Sequence, residues 1–357
     1  MSKLTLKEAQ ELAIDTLTKL ISIQSFSKEE DGVAEVIEGV LKEFGFTTNR
    51  TGKNIWAKSS DFDETRQTLM LNSHLDTVKP ASGWETDPFS PIFKDNKLIG
   101  LGSNDAGAPL VSLLMTFILS EQFNLNFNRI FVASAEEEIS GKFGMEYVLP
   151  ELGKIDFGIV GEPTGMEMAI AEKGLMVLDC IVTGKSGHAA RTGGINAISK
   201  AIKEIEWFHS FKFPKSSDVL GDTKMTVTLI NAGTQHNVIP DKCSFVVDVR
   251  TNEHYSNKDA LEIIQKNTSA EVTPRSLRMN SSGIDNNHPL VKAAKHLEIV
   301  RFGSPTTSDQ SVITDFPTVK MGPGDSNRSH TANEFIYIEE IKNGIETYCN
   351  LLKEIKL

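Results

Sequence analysis

Three apolar runs in this chain each end on residues that a hydrophobic core would reject. Thr68-Leu-Met-Leu-Asn72 delivers Ser73-His74-Leu75-Asp76. Asn128-Arg-Ile-Phe-Val-Ala-Ser134 leads into Glu136-Glu137-Glu138, and Phe157-Gly-Ile-Val160 opens onto Gly161-Glu162-Pro163-Thr164. Short runs of this kind read as buried strands. Pro109 to Leu119 reads as an apolar helix between the first and second, and Gly144 to Leu149 as a helix between the second and third. Strands alternating with helices imply an α/β fold with a mostly parallel central sheet. Ligands in such sheets sit outside the carboxyl ends of the strands. His74, the three glutamates and Glu162 all fall there.

The flanking segments extend this frame. Residues 6 to 22 place Ala13, Leu17, Leu20 and Ile21 on one helical face, and residues 31 to 44 do the same with Val33, Ile37, Val40 and Leu41. Asn54 to Lys58 reads as a short strand. Residues 79 to 97, rich in Pro, Gly, Asp and Lys, read as a long loop, a feature that is usually functional inside a compact domain. After about residue 170 the pattern changes. Leu175–Val182, a helix within 192–208, Lys224–Ile230, Ser244–Arg250, a helix over 258–265 and a weaker strand near Glu271 make strand-helix-strand-strand-helix-strand. That is the split pattern of a ferredoxin-like α+β domain. Helix over 289–298, strand over 319–321 and helix over 338–355 then resume the first pattern. The expected organisation is residues 1–171 and 283–357 as one domain, with 172–282 inserted.

With 357 residues the chain has room for both. Its net charge of −11 argues against nucleic acid and anionic membranes as partners. Cys180, Cys243 and Cys349 have no paired spacing, which points to a reducing compartment and away from a cysteine metal site. No apolar stretch reaches membrane-spanning length, and Met1 to Glu8 lacks the apolar run of a signal peptide. The expected location is the cytoplasm.

The acids and histidines carry the chemistry. Asp105 lies in Gly102-Ser-Asn-Asp-Ala-Gly107, at the mouth of the helix from Pro109. It could be an N-cap, accepting from free helical N–H groups. His74 and Asp76 are two apart, so a carboxylate can orient the imidazole. Three adjacent glutamates repel unless a cation is near. With one, a carboxylate can ligate while its neighbour acts as general base. His330 sits in Gly322-Pro-Gly-Asp-Ser-Asn-Arg-Ser-His-Thr331, too glycine-rich for a helix. Two imidazoles, two terminal carboxylates and one further Asp suit two divalent metal ions sharing Asp105. Zinc is the first choice for such nitrogen and oxygen donors, with cobalt or manganese as alternatives.

Five motifs, in order, resemble those of the dinuclear-zinc deacylase and carboxypeptidase superfamily, which includes acetylornithine deacetylase, succinyl-diaminopimelate desuccinylase and the glutamate carboxypeptidases. Ser73-His-Leu-Asp-Thr77 implies His74 as ligand and Asp76 as its orienting acid. Gly102-Ser-Asn-Asp105 implies Asp105 as the bridging ligand, although the Met-Lys that commonly follows is Ala106-Gly107 here. Glu136-Glu-Glu138 implies Glu137 as general base and Glu138 as ligand, the run of three leaving the register open by one residue. Gly161-Glu-Pro-Thr164 implies Glu162 beside His74, and His330 is implied beside Glu138.

The inserted segment resembles the family's lid and dimerisation domain, so a homodimer is expected. Gly184-Lys-Ser-Gly-His188 implies His188 as an oxyanion donor that reaches into the partner subunit's site. Asn237-Val-Ile-Pro-Asp241 and Arg250 imply substrate contacts, the arginine taking a carboxylate. The activity so implied is metal-dependent hydrolysis of an N-acyl amino acid, N-acetylornithine or N-succinylornithine in arginine biosynthesis. Arg328 is a candidate for the extra succinyl carboxylate, or else an exposed loop residue. A metallo-dipeptidase, a succinyl-diaminopimelate desuccinylase and a non-catalytic binding relative are the other readings.

Overall fold

The computed structural model describes residues 4–357; the polar start at Met1 to Lys3 lies outside them. The chain forms two compact units. The first runs through Ile170 and resumes over Gly283–Phe302 and Ser308–Leu357; the second comprises Ala171–Ser282 with Gly303–Thr307.

The first unit begins with helices α1 (Leu6–Ile21) and α2 (Asp31–Glu43). Strands β1 (Thr48–Thr51), β2 (Asn54–Lys58), β3 (Thr68–His74), β4 (Ile92–Lys94) and β5 (Lys97–Ile99) follow. Next come α3 (Ala108–Ser120), β6 (Asn128–Ser134), α4 (Met145–Leu152), β7 (Phe157–Gly161) and β8 (Met168–Glu172). The inserted stretch carries β9 (Met176–Thr183), β10 (Gly187–His188), α5 (Ala197–Ser210), β11 (Lys224–Ala232), β12 (Val238–Ile239), β13 (Lys242–Arg250), α6 (Asn257–Asn267) and β14 (Glu271–Pro274). After it come β15 (Ser282–Gly283), α7 (Pro289–His296), β16 (Arg301–Ser304), β17 (Thr318–Met321), β18 (Phe335–Tyr337) and α8 (Ile338–Glu354).

The central sheet has the order β1-β2-β6-β3-β7-β17-β8-β15, with β16 also on β8. Its middle strands β6, β3, β7 and β17 run parallel. Both faces are covered, and the period of two divides each strand between two cores. Leu69, Leu71, Phe131 and Ala133 pack with α1, α2, α3 and α8. Met70, Ile130 and Val132 pack with Met145, Val148 and Leu152 of α4. Helix α3 is buried at every position, as a helix apolar all round must be.

Register aligns the strand ends. His74 pairs with Ser134, and Met321 with Gly161. The residues just beyond four parallel strands therefore emerge along one edge, which brings 136–138, 162 and the 322–330 loop to His74.

Two segments differ from expectation. The loop over 79–97 contains most of the hairpin β4–β5, closed by Asp95 and Asn96 at φ 52° and 59°. Two consecutive left-handed residues are what a tight hairpin turn demands, and Asp and Asn tolerate that conformation. Strand β8, absent from the sequence reading, is buried throughout and joins the sheet edge.

The second unit is an antiparallel sheet, β11-β13-β9-β14, with α5 and α6 sharing its buried face. Strand β9 alternates strictly, Met176, Leu178, Cys180 and Val182 inward.

Candidate metal centre

Asp105 stands between two imidazoles. Its Oδ1 lies 3.3 Å from His74 Nε2, and its Oδ2 lies 3.7 Å from His330 Nε2. Each imidazole has a second carboxylate: Glu162 Oε1 is 3.8 Å from His74 Nε2, and Glu138 Oε2 is 3.0 Å from His330 Nε2. Glu137 brings an oxygen within 4.8 Å of the ligand atoms of His74 and Glu162. One carboxylate with an oxygen toward each of two histidine-acid pairs is the arrangement of a shared ligand between two cations.

The surrounding structure explains how these side chains are held. His74 ends β3 and is buried; its Nδ1 lies 2.9 Å from the Asp76 carbonyl oxygen. A neutral imidazole donates there and leaves Nε2 with its lone pair facing the site. The expectation that the Asp76 carboxylate orients His74 is corrected in this detail. That carboxylate is 3.7 Å from Nδ1. It accepts instead from the N–H groups of Glu137 (3.0 Å) and Glu138 (3.1 Å) and from the Ser27 hydroxyl (2.6 Å). Asp76 thus fixes the short turn Glu137–Ile139 that presents both glutamates. Glu136 is turned away: it is buried at φ 55°, and its N–H donates to Glu30 Oε1 at 3.1 Å.

Asp105 is not an N-cap. Helix α3 starts after Gly107 with no side-chain cap. The peptide bond after Asp105 is cis.

Electrostatics follow from packing acids out of water. Burial pushes Glu162 up to about 8, with Asp105 adding repulsion and His74 opposing it. Burial and the charge of Glu162 also raise Glu137 well above the carboxylate range. For His74, burial opposes the charged form, but Asp105, Glu162 and Glu137 together raise it well above its usual value. His330 is lifted to about 9, first by its hydrogen bond to Glu138. Burial would raise Asp105, yet His74 and His330 draw it below its ordinary value. So many acids around two imidazoles call for positive charge. The donors are nitrogen and carboxylate oxygen, the set that divalent zinc, cobalt or manganese accept, and they fit that role.

Two buried acids beside the site were not singled out in the sequence. Asp309 accepts from the Ser134 hydroxyl at 2.6 Å, and burial raises it to about 6. Glu334 accepts from three N–H groups of the Asp105 turn. No local pattern marks either, although Glu334 lies only four residues past His330.

The remaining candidates have other surroundings. Arg328 forks onto Glu340 at 2.6 and 3.1 Å and lies over the rings of Phe335 and Tyr337. Arg328 therefore has an acceptor within the chain, as Arg250 has in Asp248. In the second unit, His188 and Asn237 sit together on the β10–β12 ribbon, where the Ala189 N–H donates to the Asn237 carbonyl at 2.9 Å. His188 is exposed, and its Nδ1 accepts from the Ala190 N–H at 3.1 Å, leaving Nε2 as the donor nitrogen of the neutral ring. Arg250 pairs through two nitrogens with Asp248, two residues back on the same face of β13.

Residues 70–354 match peptidase family M20/M25/M40. The chain belongs to that family. It is a metal-dependent amidohydrolase. It is 26% identical over 374 residues to succinyl-diaminopimelate desuccinylase of Wolbachia sp. subsp. Brugia malayi, covering 95% of this chain and 92% of that one. It is also 26% identical over 355 residues to the LysW-lysine/LysW-ornithine hydrolase of Sulfurisphaera tokodaii, covering 96% and 95%. In fold it matches a Bacillus subtilis protein described as a dinuclear metal binding peptidase from the M20 family. The TM-score is 0.76 at 16% identity, over 97% of this chain and 98% of that one. The mixed α/β architecture of this M20 chain is that of its family.

Proposed function

We propose that this M20 protein hydrolyses the amide bond of an N-acyl amino acid, with ornithine as the released amino acid and acetyl or succinyl as the acyl group. The observation that carries the reading is Asp105, with one oxygen toward each of two imidazoles and a further carboxylate beside each. His74, Glu162 and Asp105 would hold one divalent cation, and His330, Glu138 and Asp105 the other, zinc being the first choice. The names of the curated relatives support an amino acid with a second amine: diaminopimelate, lysine, ornithine.

Bound cations would supply Lewis acidity, polarising the amide carbonyl and lowering the pKa of water. Glu137, held by its N–H to Asp76, takes the proton from the attacking water and passes it to the leaving amine. The family resemblance implies His188 as an oxyanion donor in the partner subunit's site, a role its Nε2–H would fit. It implies Asn237 and Arg250 as substrate contacts, the arginine taking a carboxylate.

The test measures ornithine release from N-acetylornithine and N-succinylornithine, with N-succinyl-diaminopimelate and dipeptides alongside. The protein is stripped of metal and assayed with and without added zinc or cobalt. Turnover of an ornithine derivative that depends on metal is expected. Cleavage of dipeptides alone would overturn the deacylase reading, and binding of no metal would overturn the ligand assignment.

A homodimer is part of this reading, as is a cytoplasmic location, which the three buried, unpaired cysteines support. Strand β11 is a sheet edge, and its Leu229 and Ile230 are 57% and 53% exposed; Ile202 of α5 is 57% exposed. An open edge with an apolar surface seeks a partner. The double variant Leu229→Glu, Ile202→Glu is expected to halve the mass measured by light scattering; a native chain already monomeric would end the dimer reading.

A further inference from the structure

Two loops far apart in sequence are laced together behind the acidic cluster. The Glu334 carboxylate is buried, and it accepts from three N–H groups of one turn. Gly102 N–H donates to Oε2 at 3.1 Å; Asn104 and Asp105 N–H donate to Oε1 at 2.8 and 2.9 Å. The Gly100 N–H adds a bond to the Glu334 carbonyl at 3.0 Å. Asn104 returns the tie. Its buried amide donates to the Asp325 carbonyl at 3.1 Å and to Ser329 Oγ at 3.4 Å, and its oxygen accepts from the Asp325 N–H at 3.0 Å.

The consequence for Asp105 follows from counting donors. An aspartate at a helix mouth ordinarily turns an oxygen back onto nearby N–H groups. Here five N–H groups of the turn have other acceptors. Gly102, Asn104 and Asp105 bond to Glu334, Ser103 to the Gly100 carbonyl at 3.1 Å, and Gly107 to the Gly102 carbonyl at 3.0 Å. The Asp105 oxygens turn instead to His74 and His330, with the Ser329 side chain as a further hydrogen-bond partner. The same clamp joins the Asp105 turn to the loop that carries His330.

We propose that Glu334 is a positioning residue for the metal centre. It holds Asp105 with one oxygen toward each imidazole and sets the spacing between Asp105 and His330. The inference rests on the two-cation reading above.

The test titrates metal-free protein with Co2+, following the absorption spectrum and counting bound ions by elemental analysis, with circular dichroism as a check on folding. Native protein should bind two ions. Glu334→Ala removes all three acceptor contacts and should weaken cobalt binding by about 10- to 100-fold with an altered spectrum, the range found when a group supporting a metal ligand is lost. Glu334→Gln keeps its shape and the Oε1 contacts but turns an amide N–H toward Gly102, so its loss should be smaller. Asn104→Ala should move the same readouts by cutting the reciprocal tie. If Glu334→Ala does not fold, Glu334→Gln and Asn104→Ala decide. Native affinity and spectrum in the folded variants, with only a lower melting temperature, would overturn the positioning role alone. A native chain that binds fewer than two ions would overturn the two-cation reading and the clamp's purpose with it.

Discussion

Glu137→Gln is expected to lower kcat by about 10²- to 10⁴-fold, the usual contribution of a general base, while the chain still binds its full complement of metal. Glutamine keeps the shape and cannot carry the proton. The backbone contact that positions the residue, Glu137 N–H to Asp76, is independent of the side chain and survives. Metal content is the decisive control, because Glu137 also lies within ligand distance of His74 and Glu162. If the glutamine variant loses a cation together with its activity, Glu137 is a ligand and the proton passes through another group. Glu138→Gln should behave in the opposite way, losing metal by removing the partner of His330.

Removing the cations should destabilise the first unit, and more so as pH rises. An ion held at roughly a thousand times its Kd contributes about 4 kcal/mol. Losing two should therefore shift the melting of that unit by roughly 10 °C or more. The direction with pH comes from the metal-free site. Glu162 rises from 4.5 to about 8 and His330 from 6.5 to about 9. In both cases the folded chain binds the proton more tightly than the unfolded chain, so stability falls as pH increases. For Glu162 the loss spans the interval between those two values, and for His330 the higher interval. Calorimetry of the chelated protein should give a lower melting temperature near pH 9 than near pH 6, with a smaller difference once metal is restored. Equal values in the chelated protein would mean that the acidic cluster is not held by charge in this way.

The strand-end acids were legible because three runs of the right period stop abruptly on them, and a parallel sheet aligns such ends. The helices were legible for the same reason: α1 and α2 display clean apolar faces. What stayed hidden depends on contacts made across long separations. Glu334 follows no pattern that would mark it as buried, because its three donors lie some 230 positions earlier. Arg328 read as a free cation because Glu340 and the two aromatic rings that surround it belong to a strand and helix that fold back on it. Asp76 reached its correct neighbourhood, but the choice between its carbonyl, 2.9 Å from His74 Nδ1, and its carboxylate, at 3.7 Å, is made by the local turn. The hairpin β4–β5 was obscured by the charged composition of its turn and flanks, although Asp95-Asn96 was itself the signal.

Position 330 also has a meaning for synthesis. The strand that delivers its loop, β17, lies between β7 and β8, and the inserted unit is made before it. A ribosome therefore releases the acids of the cluster long before His330, and the middle of the sheet is closed only by a late segment.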